Sequence, residues 1–287
     1  MARLVATVYV SEARRAPVLA RLLDLASNGS GAALLTHFHD VPYDRSSFCV
    51  GGPASALRPT IRAIAAYGIG QVDFTRFEGA HPALGVVDHA PTRVSIAPLD
   101  DDGDIGQAAA LCRDVAVDLG GLGVACLLYG AARHDGRTLA ATRRATPYFS
   151  GLSLSDFGAV KVDVGPNDVD PAIGLCCCGA TPHVLSFNVQ LDTADQAVAR
   201  RIARDVRTRT EPPDASRLPG VEALALRHTG GLFEVACNLL NTARAPPAAV
   251  LARVEQLARL EGVGVRASYA VGLTREQLRD KLDAAQR

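Results

Sequence analysis

The sequence predicts an α/β chain of the α+β kind, built as two βαββαβ units in tandem. Apolar runs of period two alternate with apolar stripes of helical period, which is the primary signal for mixed secondary structure. The order strand, helix, strand, strand, helix, strand is legible in the first half and returns after residue 183. Such a return marks a duplicated supersecondary unit and sets the expected division at 1–182 and 183–287.

Leu4 to Val10 is β-branched and apolar and reads as the first strand. Ser11 then offers a cap to a helix with Val18, Leu19, Leu22, Leu23 and Leu25 at helical spacing. Ala32 to Phe38 and Ser46 to Val50 read as strands around the turn Val41-Pro42-Tyr43-Asp44. A helix from Ala54 to Tyr67 and a strand from Gly70 to Phe74 would complete the unit. Thr92 to Ala97 is a further strand. The aspartates at 101, 102 and 104 precede a helix with Ala108, Cys112, Val115 and Leu119 on one face. Gly123 to Leu128 returns as a buried strand. From Ala145 to Pro182 the periodicity fades into a stretch longer than a connection needs, and such stretches in compact proteins are functional or disordered.

The second unit starts with a strand at Val184 to Leu191 and a helix opened by the Thr193 and Gln196 capping box. Strands Val221 to His228 and Leu232 to Leu239 flank Gly230-Gly231. A helix from Pro247 to Glu261, a strand from Gly264 to Val271 and a polar terminal helix follow.

The 287 residues are 48% hydrophobic and 21% charged, with 30 basic and 30 acidic side chains. That balance lacks the footprint of a nucleic-acid binder or of a membrane-surface protein. The 7 cysteines follow no framework spacing, and no apolar run reaches spanning length, so a cytoplasmic protein is expected. Cys176, Cys177 and Cys178 alternate faces in an extended backbone and cannot converge on one metal; they read as small buried apolar residues. His37 and His39 share a strand face, but no CxxC or HExxH partner completes a site, and no metal is expected. Phosphate-binding loops, GxGxxG and GxSxG are absent, which disfavours nucleotide hydrolysis and dinucleotide redox chemistry.

The stretch Phe77 to Asp88 carries the sharpest chemical signal. Pro82 biases His81 towards extended backbone while Gly79 and Gly85 permit close approach, so the imidazole either faces a ligand from a turn or merely caps that turn. Asp163-Val164-Gly165-Pro166 is likewise either an ordinary turn or a main-chain surface for a heterocycle.

These and other motifs carry a resemblance over nearly all of the chain. Gly79-Ala80-His81-Pro82 with Gly85, Leu128-Tyr129-Gly130, Arg137-Thr138-Leu139, Asp163-Val164-Gly165-Pro166, Gly179-Ala180, Phe187-Asn188-Val189 and Asn238-Leu239-Leu240 together resemble the formiminotransferase domain of glutamate formimidoyltransferase and formimidoyltransferase-cyclodeaminase. The resemblance implies a pair of ferredoxin-like subdomains, the second of them shortened here, with a folate site in a cleft between them. It implies a formimino group moved from N-formimino-glutamate to tetrahydrofolate, a place in one-carbon metabolism and histidine breakdown, and a homodimer. His81 matches the family's general acid/base, and the folate-contacting stretch maps onto Gly165 and Pro166 and runs through Gly174, next to Asp163. A glutamate tail needs arginine, for which Arg45, Arg137 and Arg143 are the candidates.

The chain departs from the family pattern at three places. Ala80 replaces an acidic residue before the histidine, Thr181 replaces an arginine, and Phe38 stands where the family has an aspartate, leaving Asp40 or Asp44 as stand-ins beside Arg45. The alternative reading is therefore a catalytically silent folate-binding or regulatory protein, or activity on 5-formyltetrahydrofolate.

Overall fold

The structure is a computed structural model that describes residues 3–29, 31–89, 94–100, 103–146, 159–207 and 218–287. The chain divides into two compact units, Met1–Pro182 with Arg275–Arg287 and His183–Thr274.

In the first unit, β1 (Leu4–Val10), α1 (Ala16–Ser27), β2 (Ala33–Asp40), β3 (Arg45–Gly52) and α2 (Ala54–Gln71) are followed by the small hairpin β4 (Ala83–Gly85) and β5 (Asp88–His89). Then come β6 (Val94–Pro98), α3 (Ile105–Gly120), β7 (Ala125–Gly130), α4 (Leu139–Arg144) and β8 (Leu175–Ala180). The main sheet has the order β2-β3-β1-β6-β8-β7. Its first four strands are antiparallel, and β8 and β7 extend it in parallel. Residues Leu4, Ala6, Val8 and Val10 of β1 alternate onto one face and pack with Leu22, Leu57, Ile61, Ile64, Cys112 and Leu119 of the three long helices.

The second unit comprises β9 (Leu185–Leu191), α5 (Gln196–Val206), β10 (Val221–Arg227), β11 (Phe233–Leu239), α6 (Pro247–Leu260) and β12 (Val265–Val271). Its sheet runs β10-β11-β9-β12 and is antiparallel throughout. With the strands of each sheet numbered in chain order, the first four strands of the first sheet and the whole of the second share the order two, three, one, four, so the mixed α/β duplication expected from the sequence is present. The terminal helix α7 (Arg275–Ala285) packs on β2 and β3, and Arg3 clamps it by pairing with Asp283 and Asp100.

Several elements differ from the sequence reading. No strand forms at Gly70 to Phe74. Helix α2 continues to Gln71 because Gly68 lets it lie against Val10 and Val86, and the strand that closes the first βαββαβ unit is β6 instead. Ser11 caps no helix: its hydroxyl donates to the Gly85 carbonyl at 2.9 Å, and α1 begins at Ala16 with Pro17 in its first turn. The Thr193 and Gln196 capping box is replaced by Asp195, whose carboxylate accepts from the backbone N–H groups of Ala197 and Val198.

The stretch read as aperiodic contains β8, the run of three cysteines included, between β6 and β7; residues 147–158 lie outside the described residues. Cys176 and Cys178 face the helices with their sulfurs 3.6 Å apart, while Cys177 faces the opposite side, and all three are buried. Burial in this apolar layer pushes the Cys112 thiol well above its usual range.

Gly179 of β8 lies under the Tyr129 ring of β7, and a Cβ at that position would enter the ring. Tyr129 is rigidly enclosed by the cluster that includes Leu84, Leu139 and Leu175. Gly179→Ala should therefore destabilise the first unit by roughly 1–3 kcal/mol through overpacking, measured as a lower midpoint in urea unfolding. An unchanged midpoint would show that the ring has room to move.

Candidate active site

His81 is placed by what precedes and follows it. Ala80 N–H donates to the Pro42 carbonyl at 3.0 Å, which ties the loop to the turn between β2 and β3. Gly79 is required there, because a side chain would collide with Phe77 and the Tyr43 carbonyl. On the other side, the β4 and β5 hairpin is fixed by Ser11 and by an antiparallel bridge between Gly85 and Gly174.

These ties draw the imidazole inward. His81 is only 1% exposed, so it is buried rather than displayed at the tip of a turn. Its Nδ1 lies 2.9 Å from the Pro82 carbonyl. A carbonyl only accepts, so Nδ1 carries the proton, and in the neutral ring Nε2 holds the lone pair. The ring meets Tyr43 edge to face at 4.9 Å between centroids.

Two buried arginines flank it. Arg45 and Arg143 are each 3% exposed. Arg45 opens β3 directly after Asp44, whose left-handed backbone (φ 49°) is steadied by an Ala13 N–H bond to its carboxylate at 2.9 Å. The Arg45 guanidinium lies over the Tyr43 ring at 4.9 Å and 3.8 Å from the Asp40 carboxylate, itself buried. Its Nε is buried without a hydrogen-bond partner among the described residues. Arg143 comes from the last turn of α4, which Thr138 caps by accepting from Ala141 N–H. Burial lowers the His81 pKa well below the ordinary imidazole value, and the positive charges of Arg45 and Arg143 lower it further. Of the two stand-ins beside Arg45, Asp40 is the one that pairs with it.

Of the remaining sequence candidates, Asp163 and Arg137 lie in a second polar group. Asp163 accepts from Leu128 N–H at 2.8 Å and pairs with Arg133 at 2.5 Å. Arg133 also holds Asp135, which stands 3.6 Å from Arg137. Gly165 has φ +97° and packs against Gly120 and the Val124 carbonyl, with Pro166 continuing the turn. Gly174, with φ +74°, touches the Leu84 carbonyl and Gly85 and so belongs to the frame of the His81 loop. Sequence reasoning missed Arg133 and the ring of Tyr43; besides the nearby Asp135, Arg133 pairs with Asp163, 30 residues away, and that link has no local signature.

Among the described residues no group of three His, Cys, Asp or Glu could hold a metal ion, and no helix is long and apolar enough to cross a membrane. His37 and His39 do neighbour one another, with ring centroids 5.2 Å apart.

The depressed pKa of His81 fixes a pH dependence. An unfolded chain takes up this proton near pH 6.5, whereas the folded chain resists it, so stability is whole above about pH 6.5 and falls as pH falls towards the folded pKa. A single unshared proton sets a limiting slope of about 1.4 kcal/mol per pH unit. His81→Asn should flatten urea-derived stability between about pH 6.5 and 5 relative to the parent chain; equal slopes in both would contradict a neutral buried imidazole.

Residues 3–181 match the family described as formiminotransferase domain, N-terminal subdomain. The chain is 32% identical over 287 aligned residues to a formiminotransferase cyclodeaminase-like protein of Arabidopsis thaliana, covering 94% of this chain and 93% of that one. It is 26% identical to glutamate formimidoyltransferase of Streptococcus pyogenes serotype M1, over 92% of this chain and 86% of that protein. With formimidoyltransferase-cyclodeaminase of Sus scrofa it shares 32% identity over 67% of this chain, which corresponds to 35% of the longer relative. Agreement of fold, motif and similarity over this extent leads to one assignment: the chain belongs to the formiminotransferase family of transferases.

Proposed function

We propose that this protein moves a formimino group from N-formimino-glutamate to tetrahydrofolate, with His81 as the general acid/base. The observation that carries the reading is a neutral, buried imidazole set between two buried guanidiniums in a formiminotransferase chain. Folate N5 attacks the formimino carbon and must lose its proton. The lone pair on His81 Nε2 accepts it, because Nδ1–H is committed to the Pro82 carbonyl. The same proton then goes to the glutamate nitrogen as the bond from that nitrogen to the formimino carbon breaks. Because the ring is buried, turnover requires the groups that cover it to move aside.

Arg45 and Arg143 suit the carboxylates of a glutamyl group. Arg45, a buried guanidinium whose Nε is unsatisfied among the described residues, gains most from an anion brought into contact with it. The Asp163 to Gly174 segment would serve the folate as a frame. Asp163 and Gly165 already have structural partners there, so the main chain rather than the Asp163 carboxylate is the surface offered to the pteridine. Arg137 would act at the edge of that surface, on the folate tail.

A second reading, folate binding without turnover, is supported by Ala80. Burial and the charges of Arg45 and Arg143 outweigh the Pro82 carbonyl bond that raises the His81 pKa, so the imidazole is a weaker base than an ordinary histidine.

A coupled assay for 5-formimino-tetrahydrofolate with N-formimino-glutamate as donor tests the first reading. His81→Ala should lower kcat by roughly 10²-fold or more while folate affinity stays within a few-fold. Arg143→Gln should act chiefly on the donor, raising its KM by about tenfold. Full activity in His81→Ala removes the assigned role. Calorimetric heat with tetrahydrofolate or 5-formyltetrahydrofolate, but no turnover by the parent chain, selects the second reading.

A further inference from the structure

The second unit holds a polar site that the chemistry proposed at His81 does not use. Glu234 of β11 is 0% exposed, yet it stands on the sheet face away from the helices. Asn188 donates to its Oε1 at 2.7 Å and the Tyr269 hydroxyl to its Oε2 at 2.9 Å. His228, with its Nδ1 3.9 Å from the same carboxylate, forms part of the wall of a cavity of about 300 Å³. Gln190 and Thr229 line that cavity too and reach the His228 Nδ1 at 3.3 and 3.1 Å. Its apolar wall includes Leu232 and Phe233.

Arg266 completes the chamber by a backbone irregularity. The pairing of β12 with β9 slips between Val265 and Ala267, so Arg266 is the extra residue of a bulge. Bulges re-aim side chains, and this one brings a guanidinium to the cavity. Arg266 has no carboxylate partner among the described residues. A strand-edge arginine so placed, beside an imidazole and a hydroxyl and next to an apolar wall, offers charge and donors to a planar anion and cover to its carbon body.

We propose that this cavity binds a small carboxylate-bearing molecule, its carboxylate between Arg266, His228 and Thr229 and its apolar body on Leu232 and Phe233. The assignment is independent of the reading of His81, since all the residues involved lie in the second unit. Glu234 backs the His228 ring, and the Asn188 and Tyr269 bonds keep that carboxylate in place.

The test is a titration of the full chain, labelled at histidine nitrogen, with glutarate, and separately with inorganic phosphate. The His228 ring signal is identified by its loss in His228→Gln. Glutarate should shift that signal in a saturable way, and Arg266→Gln should weaken the apparent affinity by roughly tenfold. Arg266 is exposed, so the variant is expected to keep the parent unfolding midpoint. Arg143→Gln should leave the shift unchanged, which separates this site from the one around His81. No shift with either anion overturns the proposal, as does a glutarate response that Arg266→Gln does not alter. A response to phosphate alone overturns the carboxylate assignment.

Discussion

Alternation along the strands assigns every second side chain to the face packed by α1, α2 and α3 in the first unit or by α5 and α6 in the second, and that constraint organises much of the rest. In β3, Ser46, Phe48 and Val50 alternate with Arg45, Ser47 and Cys49; Phe48 and Val50 enter the helix-facing core and Arg45 goes to the other side. In β9, Leu185, Phe187, Val189 and Leu191 face the helices while Ser186, Asn188 and Gln190 do not. Period two therefore puts Arg45 of the first unit and Asn188 and Gln190 of the second on the faces away from these helices. A register slip of one residue would exchange core and site, and the buried hydrophobic set forbids it.

Burying charge on such a surface is costly, and the local structure shows how the cost is contained. Arg45 has a ring beneath it and Asp40 nearby, and Asp40 is itself fixed by accepting from Tyr43 N–H at 3.0 Å. His81 avoids the cost by staying neutral, a state that its two arginine neighbours and its burial both favour. A base held neutral and dry beside cationic groups is suited to accept a proton while those groups hold an anion.

The Asp163 segment illustrates the difference between a motif and a role. β7 is an edge strand, and Asp163 and Val164 pair along it through Cys126 and Leu128, with Arg133 neutralising the carboxylate. Its glycine lies where Val124 and Gly120 leave no space for a side chain. Much of what that motif demands is thus satisfied by sheet-edge packing.

Element type and order were determined by the sequence itself, because apolar period and turn residues are local properties. The strands at β1, β2, β3, β9, β10, β11 and β12 and most of the helices follow from them. The histidine loop was visible for the same reason, since glycine and proline on either side of His81 constrain the backbone wherever the chain goes. Contacts between distant residues were decided only by the tertiary structure. The length of α2 depends on Gly68 meeting Val10, the identity of Gly179 on the Tyr129 ring, and the neutrality of His81 on Arg45 and Arg143 arriving from 36 residues upstream and 62 downstream. Packing and electrostatics act through space, so the burial of the imidazole and the carboxylate behind His228 have no counterpart in local spacing.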